Sequence, residues 1–179
     1  MREIILIVIL FIIFCIIVSN NKIIRLKNKV KQSKSTIDVY LNQRFDLIPN
    51  LVETVKGYMS YEKDILEKIT KERIEYIQND KKDLVDAGKI EAKCNYIVLT
   101  AEQYPELKAS EQFLNLQKAL AKIENQIQAA RRLYNGDVIK YNTKIKLFPT
   151  NIIAFIFNHK EEKLFEIEEY KKENINIDM

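Results

Sequence analysis

Residues 4–18, IILIVILFIIFCIIV, are an unbroken run of fifteen apolar side chains, and nothing else in the sequence restricts the chain so tightly. A helix that is apolar on every face has no side to offer water, so it belongs in a protein core or in a bilayer. At 1.5 Å per residue the run covers about 22 Å, short of the roughly 30 Å hydrocarbon core. Continued through Ser19, Asn20, Asn21 and Lys22 to Ile24 it covers about 31 Å, which suffices if the polar residues sit at the interface and Lys22 snorkels. Residues 1–24 are therefore expected to be a transmembrane anchor. A secretory signal is disfavoured, because Arg2 and Glu3 are the only charges ahead of the run and no small-residue cleavage site follows. A lipoprotein signal is disfavoured because Phe14, rather than a small residue, precedes Cys15. Cys15 then reads as one more apolar side chain of the span.

After the span come Lys22, Arg25, Lys27, Lys29, Lys31 and Lys34, six basic residues with no acid among them. The positive-inside rule then puts the C-terminal part of the chain in the cytoplasm and a short N-terminus outside the cell membrane. Residues 25–36 read as a basic juxtamembrane segment. Lys22, Arg25, Lys27 and Lys29 are its candidate contacts to anionic headgroups, each contributing about 1 kcal/mol near the surface. Nucleic acid is not an expected partner, since no aromatic residues interleave with these charges.

Beyond residue 36 the pattern is helical. Three Gly and three Pro in 179 residues leave few turns, which argues against Gly-loop nucleotide binding and turn-rich β architectures. Ile37, Leu41, Ile48, Val52, Val55, Met59, Leu66 and Arg73 share one helical stripe, predicting a long helix over 37–78. Pro49 should kink it or open a new helix capped by Asp46. Gly57 should weaken the helix by about 1 kcal/mol without ending it. Residues 79–82 read as a turn, and a second helix is expected over 83–103, carrying Ile90, Tyr96, Ile97 and Leu99. Tyr104-Pro105 breaks that helix, Ser110 caps the next, and the repeat Phe113, Leu116, Leu120, Ile123, Ile127, Tyr134, Tyr141, Ile145 runs to Pro149. The apolar run at 151–157 is expected to fold back over one end of the bundle, with a membrane-dipping segment as the alternative. The expected fold is all-α: an N-terminal transmembrane helix followed by an antiparallel bundle of three to four helices, two of them long, over 37–158. An acidic, frayed tail over 159–179 completes it.

Three stretches resemble the LemA family: IDVYLNQRFDLIPNLVETVKGYMSYE (37–62), AEQYPELKASEQFLNLQKALAKIENQIQAARRLYN (101–135) and VIKYNTKIKLFPTNIIAFIF (138–157). They cover nearly the whole part beyond the span, in the family's order. The resemblance implies a membrane-anchored, all-helical bacterial protein in a family of largely undefined molecular function, one branch of which is associated with magnetosome membrane formation. The chain departs from the family pattern at Tyr61, Ser110, Gly136-Asp137 and Asn158-His159, the last pair standing where the family has Gly-Phe.

Polar residues on apolar stripes are the candidates for function. Arg44 and Glu62 fall near the stripe of the first bundle helix. Glu124, Arg131, Asn135 and Asn142 line one edge of the last long helix, with Tyr134 and Tyr141 just inside it. The preferred reading is an inter-helix polar network that fixes register, because buried polar groups must be paired. The alternative is a polar pocket for a small ligand or a partner. Arg44 is expected to be buried against Glu124 or Glu62, since its guanidinium cannot shed its charge. Catalysis is not expected: the single His159 and the two cysteines, Cys15 and Cys94, assemble no catalytic triad. No cofactor and no metal site are expected either. The expected function is a scaffold or adaptor that recruits a protein partner at the cytoplasmic membrane, with a protein that binds or organises lipid directly as the alternative. An exposed apolar patch away from the anchor would favour the adaptor, and Phe155 and Phe157 exposed on the membrane-proximal side would favour lipid. Oligomeric state is left open.

Overall fold

The computed structural model describes residues 1–59, 61–79 and 84–165, and every regular element among them is a helix. In chain order these are α1 (Arg2–Asp46), α2 (Ile48–Val55), α3 (Lys63–Gln78), α4 (Leu84–Ala101), α5 (Pro105–Lys108), α6 (Glu111–Lys146) and α7 (Thr150–Ile156). The expected turn at 79–82 and the acidic tail fall largely, at 80–82 and 166–179, outside the described residues. The chain divides into two compact units, one of residues 1–37 with 129–165 and one containing residues 38–128.

The apolar N-terminal run and the first bundle helix are one element. α1 has 45 residues, about 68 Å, and passes through Ser19, Asn20 and Asn21 without a break. No Gly or Pro occurs before Pro49, and polar residues in a helix cost only tenths of a kcal/mol each. Its apolar N-terminal window has no part buried inside the protein, as a bilayer-facing surface requires. Further along, Ile23, Val30, Ile37, Leu41 and Phe45 are buried at spacings of seven and four, so the same helix turns one stripe inward.

The single helix expected over 37–78 is three helices instead. Proline lacks the N–H for the carbonyl four residues back and its ring collides with it; α1 ends at Asp46 and α2 begins with Pro49 in its first turn. Asp46 does not cap α2. It pairs with Arg73 at 3.2 Å, and Arg73 Nε also donates to the Phe45 carbonyl at 2.6 Å, closing the end of α1. The break resets the register, so Leu51 rather than Val52 is fully buried beside Ile48 and Val55. α2 then stops at Val55, and Gly57 lies in the turn that follows rather than inside a helix. Between exposed Lys56 and Tyr58 nothing offsets the roughly 1 kcal/mol that Gly costs a helix. Met59, fully buried, carries the stripe across the turn to Leu66, Ile69 and Tyr76 of α3. The Tyr76 ring meets Phe45 edge-on, with centroids 5.1 Å apart.

α4 buries Ala87, Ile90, Cys94, Ile97 and Ala101, while Leu99 and Tyr96 are exposed. Pro105 opens the short α5, an element absent from the expected set. Ser110 Oγ accepts from the Phe113 N–H at 3.5 Å, and α6 runs 36 residues, about 54 Å. Thr150 is buried and donates to the carbonyls of Lys144 and Leu147, tying α7 to the end of α6. α7 closes with Asn158 in the left-handed region at φ 53. The His159 N–H reaches the Ala154 carbonyl and the Asn158 N–H the Phe155 carbonyl, the two bonds of a Schellman cap. Residues 159–165 continue as a non-helical strap.

Candidate functional site

In the unit containing 38–128, Arg44 is 2 % exposed and sits on three acceptors. It bonds Glu124, Glu91 at 3.4 Å and Asn95 Oδ1 at 2.6 Å. Of the two carboxylates expected, Glu124 meets it, steadied by Gln128 Nε2 at 2.7 Å. Glu62 does not. It stands at the start of α3, 3.3 Å from the Tyr104 hydroxyl, which donates to it. The register break at Leu47 leaves Arg44 on α1 and moves Glu62 two elements away. Sequence reading missed Glu91, which is 5 % exposed. Its signal was present: Glu91 lies four residues after Ala87 and three before Cys94, inside the buried stripe of α4. Burial pushes the Cys94 thiol up against the pull of nearby Arg44, which keeps it a neutral packed group.

In the unit of 1–37 and 129–165, the polar edge of α6 is occupied. Asn142 donates to the Glu162 carbonyl at 2.8 Å and accepts from the Glu162 N–H at 3.0 Å. Seven residues earlier, Asn135 repeats the pattern with Phe165, at 3.0 and 2.7 Å. The Tyr141 hydroxyl donates to the Lys160 carbonyl at 2.8 Å and the Tyr134 hydroxyl to the Lys163 carbonyl at 2.9 Å. Burial, reinforced by Glu162, raises both phenols above their usual range, so both stay protonated donors. Arg131, 5 % exposed, places its guanidinium 4.6 Å from the Phe165 ring centroid. Thus Arg131, Asn135 and Asn142 gather on residues 160–165, while Glu124 serves Arg44. Facing the same helix, Ser33 on α1 donates to buried Asp137 at 2.5 Å, a pair that sequence reading did not find. Its signal was present, since Asp137 lies three residues after Tyr134 and four before Tyr141, inside the buried stripe of α6.

The four basic residues assigned to headgroups, Lys22, Arg25, Lys27 and Lys29, are all exposed, with Lys29 Nζ also 4.0 Å from Asp137. α7 packs inward through Thr150, Ile153 and Ala154. It turns Ile152, Phe155 and Ile156 outward, beside exposed Leu147 and Phe148. Phe155 is 86 % exposed and Phe157 48 %. His159, directly after α7, hydrogen-bonds Asn20 at 3.0 Å, which ties the end of α7 to α1 just past its apolar run. Burial and the positive charge of Lys27 lower the His159 pKa.

The LemA family model matches residues 33–179. Among individual relatives, Protein LemA of Metamycoplasma hominis is 27 % identical, covering 87 % of this chain and 73 % of its own length. Two Paramagnetospirillum magneticum proteins, Magnetosome protein MamQ 2 and Magnetosome protein MamQ 1, are each 22 % identical over 82 % of this chain. The match spans 64 % of each of those two proteins. With the family model covering most of the chain behind one apolar helix long enough to cross a membrane, the chain belongs to the LemA family, as a membrane-associated helical protein of bacterial type.

Proposed function

We propose that the chain is a single-pass membrane organiser whose helical bundle engages the lipid surface directly through α7. The observation that carries this is the outward face of Ile152, Phe155 and Ile156, on a helix whose end is tied to Asn20 just past the apolar run of α1. An apolar face set beside an anchor and flanked by exposed Lys22, Arg25 and Lys27 matches an interfacial segment, where apolar area and attraction to anionic lipid add. By the positive-inside argument the bundle is cytoplasmic and the N-terminus outside. The magnetosome names of two relatives point in the same direction. The role is non-catalytic in this reading: Arg44, Glu91, Glu124 and Asp137 are engaged in internal pairing. The scaffold or adaptor reading stands second, supported by the α6 edge, which already holds a peptide segment.

The chain contains no tryptophan, so Phe155→Trp in the full-length protein introduces a unique fluorophore. In liposomes containing anionic lipid, its emission should be blue-shifted and quenched by acyl-chain-brominated lipid. Emission at the wavelength of water-exposed indole, insensitive to bromine, would sink the lipid reading.

A further inference from the structure

The bonds that α6 makes to the strap obey one rule. Tyr141 and Tyr134, seven residues apart, take the carbonyls of Lys160 and Lys163, three apart. Asn142 and Asn135, again seven apart, clamp the backbone of Glu162 and Phe165, again three apart. Seven helical residues rise about 10.5 Å, and three residues of extended chain span about 10 Å. The groove thus repeats in register with an extended peptide and reads its backbone, since each Asn offers one donor and one acceptor, as a neighbouring strand would. Few side chains of the strap are used: Leu164 stays 43 % exposed, while Phe165 meets Arg131 and Glu161 meets Lys146 at 2.8 Å.

We infer that this groove is an interaction site for an extended peptide, and that its partner is residues 160–165 of a second copy of this chain, exchanged for the copy's own strap. A groove that holds this segment in cis holds the identical segment in trans, which is the logic of domain swapping. One feature of the hinge favours exchange: Asn158 is held at φ 53, a conformation costlier for Asn than for Gly, which an opened hinge releases together with the two cap bonds of α7. The tether opposes exchange by keeping the own strap at an effective concentration in the millimolar range. Exchange therefore belongs to crowded membrane patches, where anchored copies meet in two dimensions. The inference is independent of lipid contact by α7.

Lys146 and Glu161 are paired but exposed, so they mark the groove and the strap without touching the clamp. Full-length chains carrying Cys15→Ala and Cys94→Ala are made in two tagged forms, one with Lys146→Cys and one with Glu161→Cys. They are reconstituted together in liposomes at rising protein-to-lipid ratio and treated with a short bis-maleimide. Cross-links between the two forms should appear and grow with density. Asn135→Leu with Asn142→Leu should cut them about tenfold when placed on the Lys146→Cys form, whose groove must receive the strap, and raise them when placed on the Glu161→Cys form, whose own strap is then released. Asn158→Gly on the Glu161→Cys form, which removes the hinge cost without disturbing the groove, should lower them severalfold. Two results overturn the inference: no cross-links between the two forms at any density, or cross-links between copies that ignore which form bears the Asn substitutions.

Discussion

A guanidinium that keeps its charge at any cellular pH must be answered wherever it is buried, and Arg44 is answered from two other helices, by Glu91 and Asn95 of α4 and Glu124 of α6. Arg44→Ala takes the cation from two carboxylates, one of them buried, and should cost about 3–5 kcal/mol. Asp46→Ala, which breaks the exposed pair with Arg73, should cost about 1 kcal/mol or less. Chemical denaturation of the detergent-solubilised full chain separates the two, and equal midpoints would contradict the buried network. His159 makes a pH prediction. Its pKa is lowered from 6.5 in the folded state by burial and by Lys27, so below that value the unfolded chain binds the proton more readily. The contribution is present above pH 6.5 and is lost as pH falls through the lowered folded value. His159→Gln should flatten the decline of Tm on the acid side of pH 6.5 and leave Tm above it nearly unchanged. That Arg44 needed an acceptor was legible from its place on an apolar stripe. That Glu91 is one of those acceptors was not, because the pair is separated by 47 residues, among them α2 and α3.

Among the elements, the ends of α4 and α6 were legible, since Pro105 and Pro149 act through local backbone chemistry. The division of 37–78 was only half legible: Pro49 announced a break, but the apolar stripe passes over Gly57 whether or not the helix does. Periodicity reports which side chains face inward, and Met59 faces inward from a turn. Gly136, inside α6, has nothing within 4 Å of where a Cβ would stand. Gly136→Ala should therefore stabilise the chain by about 1 kcal/mol, the ordinary helix preference of Ala over Gly. A raised denaturation midpoint checks it, and a lowered one would show that the close approach of α6 to Ser33 depends on the missing side chain. The neighbouring Asp137→Ala should do the opposite, removing a buried charged acceptor from Ser33 at about 1.5–3 kcal/mol.

For the whole molecule, the expectation that belongs to this scale is orientation. Six basic residues follow the span with no acid among them, so protease added outside intact cells should spare the bundle, and its digestion would reverse the assignment. The apolar N-terminal helix, the all-helical content, the family and the polar edge of α6 were determined by sequence alone. Each depends on local quantities: the length of an apolar run, the scarcity of Gly and Pro, a seven-residue spacing of polar side chains. Tertiary structure alone decided what those features do. It brought Glu91 and Glu124 to Arg44 and filled the α6 edge with residues 160–165. It also turned Phe155 outward on a helix tied to α1 just past its apolar run. These meetings join residues 20 to 139 positions apart. Whether such groups meet is set by the path of the chain through its turns, which a hydrophobic period does not encode.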